Sequence, residues 1–580
     1  MPDLVTQAKW DRMAPRFDTM AAKGAEFLQF CVDRYVAQDS QVMIGTAPHT
    51  QTLIISALNL LDAVLGTDVV SPAERRRLLA QIAFLGYVVN SHDFWSPARG
   101  FSANPNMTTT VANFQAAIGC MIPSHPRAKE WSQRGLTELR RQLREWSAED
   151  GGWLEAPHYA MTSFDFMLGS FLMAANAGFG DDVYADRMRK VIEWFASIVT
   201  PRDSRTGGFR HQPPIGNTYH GEPTGLFGVV AGLWKDRDPA FAARMQALHE
   251  EGGSFGNLGT GWDFPTMSGY RFLLTRHGVP PKSAPYGSAA FAQNGAVLRS
   301  GMGSARETYL HLIAGQHHEH YDYDSGSIML YGKGRVLADD WGYLGRHPDK
   351  WHSLLTSGAA GGGGLMHLDA FAPAAAFDYV SGKKDAWRRQ IGFVKDADPN
   401  GPAFFLVRDT HAADTPATWR LWLTTGIAGD GDKKKWPTPG AVTLNATGAT
   451  LSGMDDVDMD IFFPNAAALG LKLEPATLRV STGNWLGSIE PVSNSQTALI
   501  ATLKGRGAVV ALLYPRLKTE PPPAVSWFAD GRIAAVKSPA GTDYVLVTPA
   551  APPQPVGDGK TLEPLREHST KDGIPVRVWS

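Results

Sequence analysis

Two cysteines, Cys31 and Cys120, are all that this chain of 580 residues carries. So few exclude a disulfide scaffold, and neither stands in a metal-type spacing, so both read as buried thiols. A run of about 18 apolar residues, the length a membrane-spanning helix needs, is also missing, which argues against a membrane partner. The N-terminus, MPDLVTQAKWDRMAPRF, has no apolar core of a secretory signal. The expected location is therefore periplasmic or extracellular if a signal peptide has been removed, and cytoplasmic otherwise. Nor is there an excess of either charge: 55 Lys and Arg face 57 Asp and Glu. That excludes the strong basic surplus of a nucleic-acid binder, while leaving room for a local basic groove that would hold a polyanion.

What is present divides into two grammars. A chain this long exceeds a single hydrophobic core, so at least two domains are expected. In the first half, Met20, Phe27 and Cys31 recur at helical spacing, with Leu28, Val32 and Tyr35 widening the stripe. Ser71-Pro72-Ala73-Glu74 has the form of a capping box with Pro at the first helical position. Further helical patterns fall near 109–122, 127–147, 160–178, 182–199, 224–235, 239–250 and 262–277. They have no fixed period, so they read as antiparallel helix pairs rather than a formal repeat. After Arg276-His277-Gly278-Val279-Pro280-Pro281 the pattern changes to short β-rich runs broken by Gly, Asp and Pro. Ser327–Tyr331 and Arg335–Ala338 flank a Gly332-Lys333-Gly334 turn and predict a hairpin. Phe404–Val407, Trp419–Leu423, Val509–Tyr514 and Tyr544–Val547 read as further strands. The expected fold is an α+β multidomain chain, with an N-terminal (α/α) toroid over 1–285 and a C-terminal antiparallel β-sandwich over 286–580.

Residues 315–343, GQHHEHYDYDSGSIMLYGKGRVLADDWGY, hold the densest chemistry. Three histidines and three acids fall between His317 and Asp324, on the lead-in to the hairpin. Asp340 ends the next strand, and His352 follows in Lys350-Trp351-His352-Ser353-Leu354-Leu355. Imidazoles with a carboxylate suit zinc. The spacing alone equally fits a metal-free His/Asp hydrogen-bond network.

The order His-x-His-x-Asp, Gly-Ser, hairpin, Asp-x-Gly-Tyr and His-Ser-Leu-Leu resembles the start of the β-domain in polysaccharide lyases of the heparinase II/III type. GLMHLDAFAPAAAFDYVSG and RRQIGFVKDADPNGPAFFLVRDTH resemble its continuation. The resemblance implies a divalent, structural metal, usually zinc, on His320, Asp340 and His352, and it places His318 in the catalytic cleft. This sequence departs from the pattern by extra residues between Asp322 and Gly326 and by the additional His317.

Two segments of the helical half resemble the toroid domain of the same family. Phe101-Ser-Ala-Asn-Pro-Asn-Met107 puts Asn106 in the place of a catalytic Asn, with Asn104 as the alternative. Glu149-Asp-Gly-Gly-Trp-Leu-Glu-Ala-Pro-His-Tyr159 puts Tyr159 in the place of the catalytic Tyr. Read without the resemblance, Asn106 is an ordinary helix cap, Gly151-Gly152 a helix–helix turn and Tyr159 a packing residue. A third segment, from Gly208 to His220, resembles a cleft loop, and makes Arg210, His211, Asn217, Tyr219 and His220 candidate sugar contacts.

The implied activity is β-elimination on an acidic polysaccharide or oligosaccharide containing uronic acid. Alginate, glucuronan and glycosaminoglycans all suit such a scaffold. Family members often dimerise, although no segment here requires it. The competing readings are a glycoside hydrolase using the paired carboxylates Asp150 and Glu155, and a non-catalytic carbohydrate-binding protein.

Overall fold

The computed structural model describes residues 7–37, 57–91, 105–224, 226–253, 278–315, 320–343, 347–357, 364–429, 438–483 and 489–538, with short further stretches between 541 and 577. Two compact units emerge. The first is built mainly from Met1–Ala196 and Pro223–Ala284, the second from Ser197–Glu222, Pro285–Gly483 and Ile489–Ser580. One boundary between the units falls between Ala284 and Pro285. The segment 197–222 was expected in the toroid and instead packs as part of the second unit.

The first unit is helical: α1 (Gln7–Met13), α2 (Phe17–Val36), α3 (57–64), α4 (Pro72–Val89), α5 (Pro105–Met121), α6 (Ala128–Trp146), α7 (Pro157–Asn176), α8 (Asp186–Ile198, whose last two residues pass into the second unit), α9 (Phe227–Trp234) and α10 (Pro239–Glu251). The expected helix at 262–277 lies outside the described residues. Ser71 caps α4, its hydroxyl accepting from the Glu74 N–H at 3.3 Å, as its sequence predicted. Helices α5 and α6 run antiparallel: Thr109 Oγ1 donates to Gln142 Oε1 at 2.9 Å near one end, while Gly119 lies against Ala128 and Ser132 at the other. Midway, a Cβ on Gly135 would stand 2.5 Å from the Ala112 carbonyl, so this close crossing needs glycine. Helix α5 also packs on α7, where Asn113 Nδ2 donates to Phe166 O at 2.9 Å and Ser170 Oγ at 2.6 Å.

The second unit is antiparallel β. The first sheet runs in chain order: β1 (Ala289–Phe291), β2 (Gly295–Ser300), β3 (Thr308–Leu312), β4 (Ile328–Gly332) and β5 (Arg335–Ala338). The predicted hairpin is β4–β5, closed by Lys333 and Gly334, both at positive φ (46° and 77°), the backbone that matches strand twist in a two-residue turn. After β6 (Leu355–Ser357) come β7 (His367–Pro373), β8 (Phe377–Lys384), β9 (Trp387–Val394), β10 (Phe404–His411) and β11 (Ala417–Gly429). Then follow β12 (Ala441–Asn445), β13 (Gly448–Ser452), β14 (Val457–Phe462), β15 (Lys472–Gly483), β16 (Ile489–Leu503) and β17 (Gly507–Leu517). They form an eight-stranded sheet, β12-β13-β14-β17-β10-β9-β8-β7, and a four-stranded one, β15-β16-β11-β6.

Alternation along β10 shows how the sheets stack. Phe405 and Val407 point into the large core with Leu298, Leu330, Leu421 and Leu499. Phe404 and Leu406 point the other way and meet Ala534, Val536 and Val545 of a three-stranded sheet, β18 (Ala524–Phe528), β19 (Ile533–Ser538) and β20 (Gly541–Leu546). The helical first unit and the layered β second unit have the fold class read from the sequence.

Candidate active site

In the helical unit, the loop before α7 is tightly built. Gly151 has φ +93°, and a Cβ there would stand 2.1 Å from the Lys190 carbonyl. Asp150 Oδ1 accepts from the Gly152 N–H at 2.9 Å, closing the turn. Glu155, fully buried, accepts from Trp153 Nε1 at 3.4 Å and from Ser163 Oγ at 3.3 Å. The two carboxylates that a hydrolase would need are thus both employed in holding this loop. Tyr159 follows in the first turn of α7, half-buried, with its ring edge-on to His158 at 4.9 Å.

Asn106 lies in the first turn of α5, and its side-chain Oδ1 is buried with no hydrogen-bond partner. Contacts place it relative to Tyr159. Thr109, one turn on from Asn106, bonds Gln142 near the end of α6. The Leu154 N–H, three residues before α7, bonds the carbonyl of Trp146, the last residue of α6. The starts of α5 and α7 therefore both flank the end of α6, and Asn106 and Tyr159 share that end of the helical unit. Asn104 and His318 lie outside the described residues.

In the β unit, the segment 197–222 is fixed by buried charge. Arg205 Nη2 donates to Asp203 Oδ2 and to Asp339 Oδ2, both at 2.7 Å, with all three side chains at 1% exposure or less. The Tyr331 hydroxyl donates to Asp203 Oδ2 at 2.9 Å. Burial works against the charge on Asp203, but Arg205 and His211 outweigh it and hold the carboxyl well below its usual range.

Three of the expected sugar contacts, Arg210, His211 and His220, are buried within this framework. Arg210 pairs with Glu307 at 2.7 Å, both side chains buried. His211 stands between Gln212 O at 2.7 Å and Asp203 Oδ2 at 3.3 Å. His220 Nε2 donates to Trp341 O at 3.1 Å while Nδ1 lies 3.5 Å from Asp339. Burial lowers its pKa. These side chains are occupied because a loop carrying so many polar groups must satisfy them internally. The other two differ. Tyr219 is half-buried and stacked on Tyr343 at 4.5 Å and 6°. Burial first, then the charges of Tyr343 and Glu222, push its hydroxyl up to about 12. Asn217 is half-buried, its N–H donates to His320 O at 2.8 Å, and its Oδ1 is buried without a partner.

The residues that follow His320 enter a buried acid–imidazole cluster. His352 Nδ1 meets Asp340 Oδ2 at 3.1 Å, and His347 Nδ1 meets Asp322 Oδ2 at 2.8 Å, the two rings being 6.3 Å apart. Burial opposes a charge on His352, yet Asp340, with Asp324 and Asp322, pushes its pKa up to about 9. Asp324 is fully buried, and burial raises its pKa well above the carboxylate range. Asp324 Oδ1 and Oδ2, Asp322 Oδ1 and His352 Nε2 are all buried without partners. Among the described residues no three His, Cys, Asp or Glu side chains already converge as a metal shell. The orphaned donors, hard oxygens with an imidazole nitrogen, nonetheless fit a divalent cation. The resemblance singled out Asp340 and His352. Asp324 escaped it, although it lies within the His317–Asp324 run.

Residues 80–213 match the family model described as Heparinase II/III N-terminus. The match contains Asn106 and Tyr159. Comparison with curated proteins returned no match. Among solved structures, the heparan sulfate lyase HepC of Pedobacter heparinus is similar at 15% identity and a TM-score of 0.57, over 86% of this chain and 74% of that one. The Streptomyces coelicolor A3 chondroitin AC lyase, solved with chondroitin sulphate, is similar at 13% identity and a TM-score of 0.53, over 92% and 87%. The likeness to heparinase-type proteins read from the sequence is thus met again in the family model and in the fold.

Proposed function

We propose that this protein is a polysaccharide lyase that cleaves a uronic-acid-containing glycosaminoglycan by β-elimination. The observation that carries the reading is that Asn106 and Tyr159 share one end of the helical unit, with the Oδ1 of Asn106 buried and unpartnered. A uronate loses its C5 proton only if the adjacent carboxylate is neutralised as the enolate develops. Asn106 does this by hydrogen bonding; a half-turn of its amide presents N–H where oxygen is drawn. Tyr159 then transfers protons, as acid to the glycosidic oxygen and, where proton and leaving group share a face, also as base at C5. His318 serves as the base on the opposite face or as a second donor to the carboxylate. The C4–O bond breaks as the C4–C5 double bond forms, and no water is consumed.

A divalent cation, zinc by its donor chemistry, belongs to this reading as a structural element. The resemblance puts it on His320, Asp340 and His352, where it would brace the strand lead-in that carries His318. Glycosaminoglycans are the first substrates to try because both solved neighbours are named for them.

The test is a panel of heparan sulfate, chondroitin sulfate, alginate and glucuronan, followed by ultraviolet absorbance of the new double bond. A rise with one polymer supports elimination and names the substrate. New reducing ends without absorbance would replace the lyase by a hydrolase. No change in either would return the chain to a binding role.

A further inference from the structure

The eight-stranded sheet has an outward face that is only partly covered. Along β9 and β10 alternate residues turn inward: Arg389 donates to both oxygens of Asp409, at 2.9 and 2.8 Å, and Trp387 and Trp419 each donate to that carboxylate at 2.7 Å. Their neighbours Arg388, Gln390 and Arg408 therefore point outward. At one end of this face Phe404 and Leu406 carry the three-stranded sheet β18-β19-β20. Next along β10 comes Arg408, and from there polar side chains replace apolar ones.

The register sets their positions. Lys383 of β8 lies opposite Arg388 of β9, and Gln390 of β9 lies opposite Arg408 of β10. With strands about 4.8 Å apart, cations on β8, β9 and β10 span about 10 Å across the sheet. Arg532, exposed in the turn between β18 and β19, is near enough for its charge to act on Arg408.

One of these four cations, Arg388, meets a carboxylate, that of Asp369 at 2.6 Å. Arg408 Nη1 donates to Gln390 Oε1 and Arg532 Nε to Ala529 O, both at 2.9 Å, and both acceptors are neutral. Lys383 is exposed. Adjoining turns carry Asp385 and Asp530, and among the described residues neither forms an ion pair with the four. Arg408 bears the largest cost: it is half-buried, and burial pulls its pKa below the usual arginine value. A desolvated guanidinium without a carboxylate is unfavourable, and an anion bound over it relieves the penalty.

We propose that Lys383, Arg388, Arg408 and Arg532 form an auxiliary site on the β unit that holds the sulfate or carboxylate groups of an acidic polysaccharide chain. The polymer class rests on the lyase reading above; the cationic face does not, and none of the four residues is assigned to the reaction. A polymer with anions at regular intervals matches cations set out in one direction across a sheet. Such a site lengthens the stay of the protein on a long chain without altering the bond-breaking step.

The test separates binding from cleavage. Full-length protein carrying Tyr159→Phe, which leaves the polymer whole under the lyase reading, is passed over immobilised heparan sulfate, chondroitin sulfate and hyaluronan at low salt. Adding Lys383→Gln, Arg408→Gln and Arg532→Gln together is expected to weaken binding about 10-fold. The difference should close at about 1 M salt, where charges act over only about 3 Å. A loss confined to the two sulfated polymers supports the site with sulfate as its anion, and an equal loss on hyaluronan supports it with carboxylate. Equal binding by the variant and its parent overturns the site. So does a matching fall in turnover of a short oligosaccharide when the three replacements are made with Tyr159 intact, because they would then act on the reaction. A wild type that cleaves nothing, with the binding difference intact, overturns the lyase reading and leaves the site standing. Should the triple variant fail to fold, Lys383→Glu with Arg532→Glu, both at exposed positions, decides: weaker binding by about 10-fold is expected, and unchanged binding overturns the proposal.

Discussion

Arg205 and Asp339 lie 134 positions apart in the chain and meet at 2.7 Å with no more than 1% of either side chain exposed. The pair fastens the segment 197–222 to the end of β5. It also sits beside the acid–imidazole cluster, since Asp339 Oδ1 accepts from the Asp340 N–H at 3.0 Å. Removing Arg205 leaves Asp203 and Asp339 buried without their shared cation, which costs about 3–5 kcal/mol, whereas removing Asp339 leaves Arg205 its pair with Asp203 and costs less. Arg205→Ala and Asp339→Ala are each expected to lower the thermal midpoint clearly. The double replacement should cost much less than the sum of the two in a double-mutant cycle. Additive losses would show that the pair is not coupled.

Tyr159→Phe removes one oxygen from a side chain that is half-buried and leaves its ring contact with His158 in place. Circular dichroism and thermal midpoint should match the wild type. Initial rates on the polymer found active should fall by about 10²–10⁴-fold, the usual worth of a positioned acid–base group. An unchanged rate would move the proton transfer elsewhere.

Asn106→Ala deletes the group assigned to the enolate. The expected loss is about 10²–10³-fold in kcat with KM little altered, because the interaction matters most as charge develops. A rise in KM alone would make Asn106 a binding residue.

Local chemistry was legible in the sequence and distant pairing was not. Ser71 announced its own helix start because the cap and its Glu74 partner lie three residues apart. Gly332-Lys333-Gly334 announced its hairpin because glycines at a turn lie between two β-rich runs, and Gly334 takes the positive φ that such a loop needs. Asp203, Arg205 and Asp339 carried no such signal. Their meaning is a contact across more than a hundred residues, and each alone looks like a solvated charge. For the same reason Arg210 and His220 looked available to a sugar, while their partners, Glu307 and Asp339, could not be guessed. Asn106 and Tyr159 were singled out through resemblance. Only the contacts of Gln142 and Trp146 give a physical ground for grouping them.

His311 predicts an acid limb in the stability profile. It is fully buried, with Nε2 donating to Asn294 O at 2.9 Å, and burial lowers its pKa to about 4 from 6.5. The unfolded chain therefore takes up this proton first. The stability is complete above about pH 6.5, declines as pH falls, and is lost by about pH 4. The whole window is worth roughly 3 kcal/mol. Chemical denaturation at stepped pH checks it, and His311→Asn should flatten the slope between those values. An equally steep slope in the variant would assign it to other groups.

Gly135→Ala adds a single methyl group where α6 crosses α5. Its Cβ would come 2.5 Å from the Ala112 carbonyl and from the Ala116 nitrogen, both backbone atoms with little room to yield. A loss of about 1–3 kcal/mol is expected, despite the better helix propensity of alanine. A more stable variant would mean that the helices separate easily.

The passage of the chain into the β unit at Ser197 and back out after Glu222 sets a rule for dividing the gene. A fragment ending near Ala284 would carry Arg205 and Arg210 away from Asp339 and Glu307. It would leave a sticky, unmatched ribbon attached to the helices. The remainder, from Pro285 onward, would expose the acidic sockets into which that ribbon fits. Halves made by such a cut should be insoluble apart and rescue one another when produced together. In evolution, too, the two units would have to be inherited together, because no single recombination point separates them cleanly.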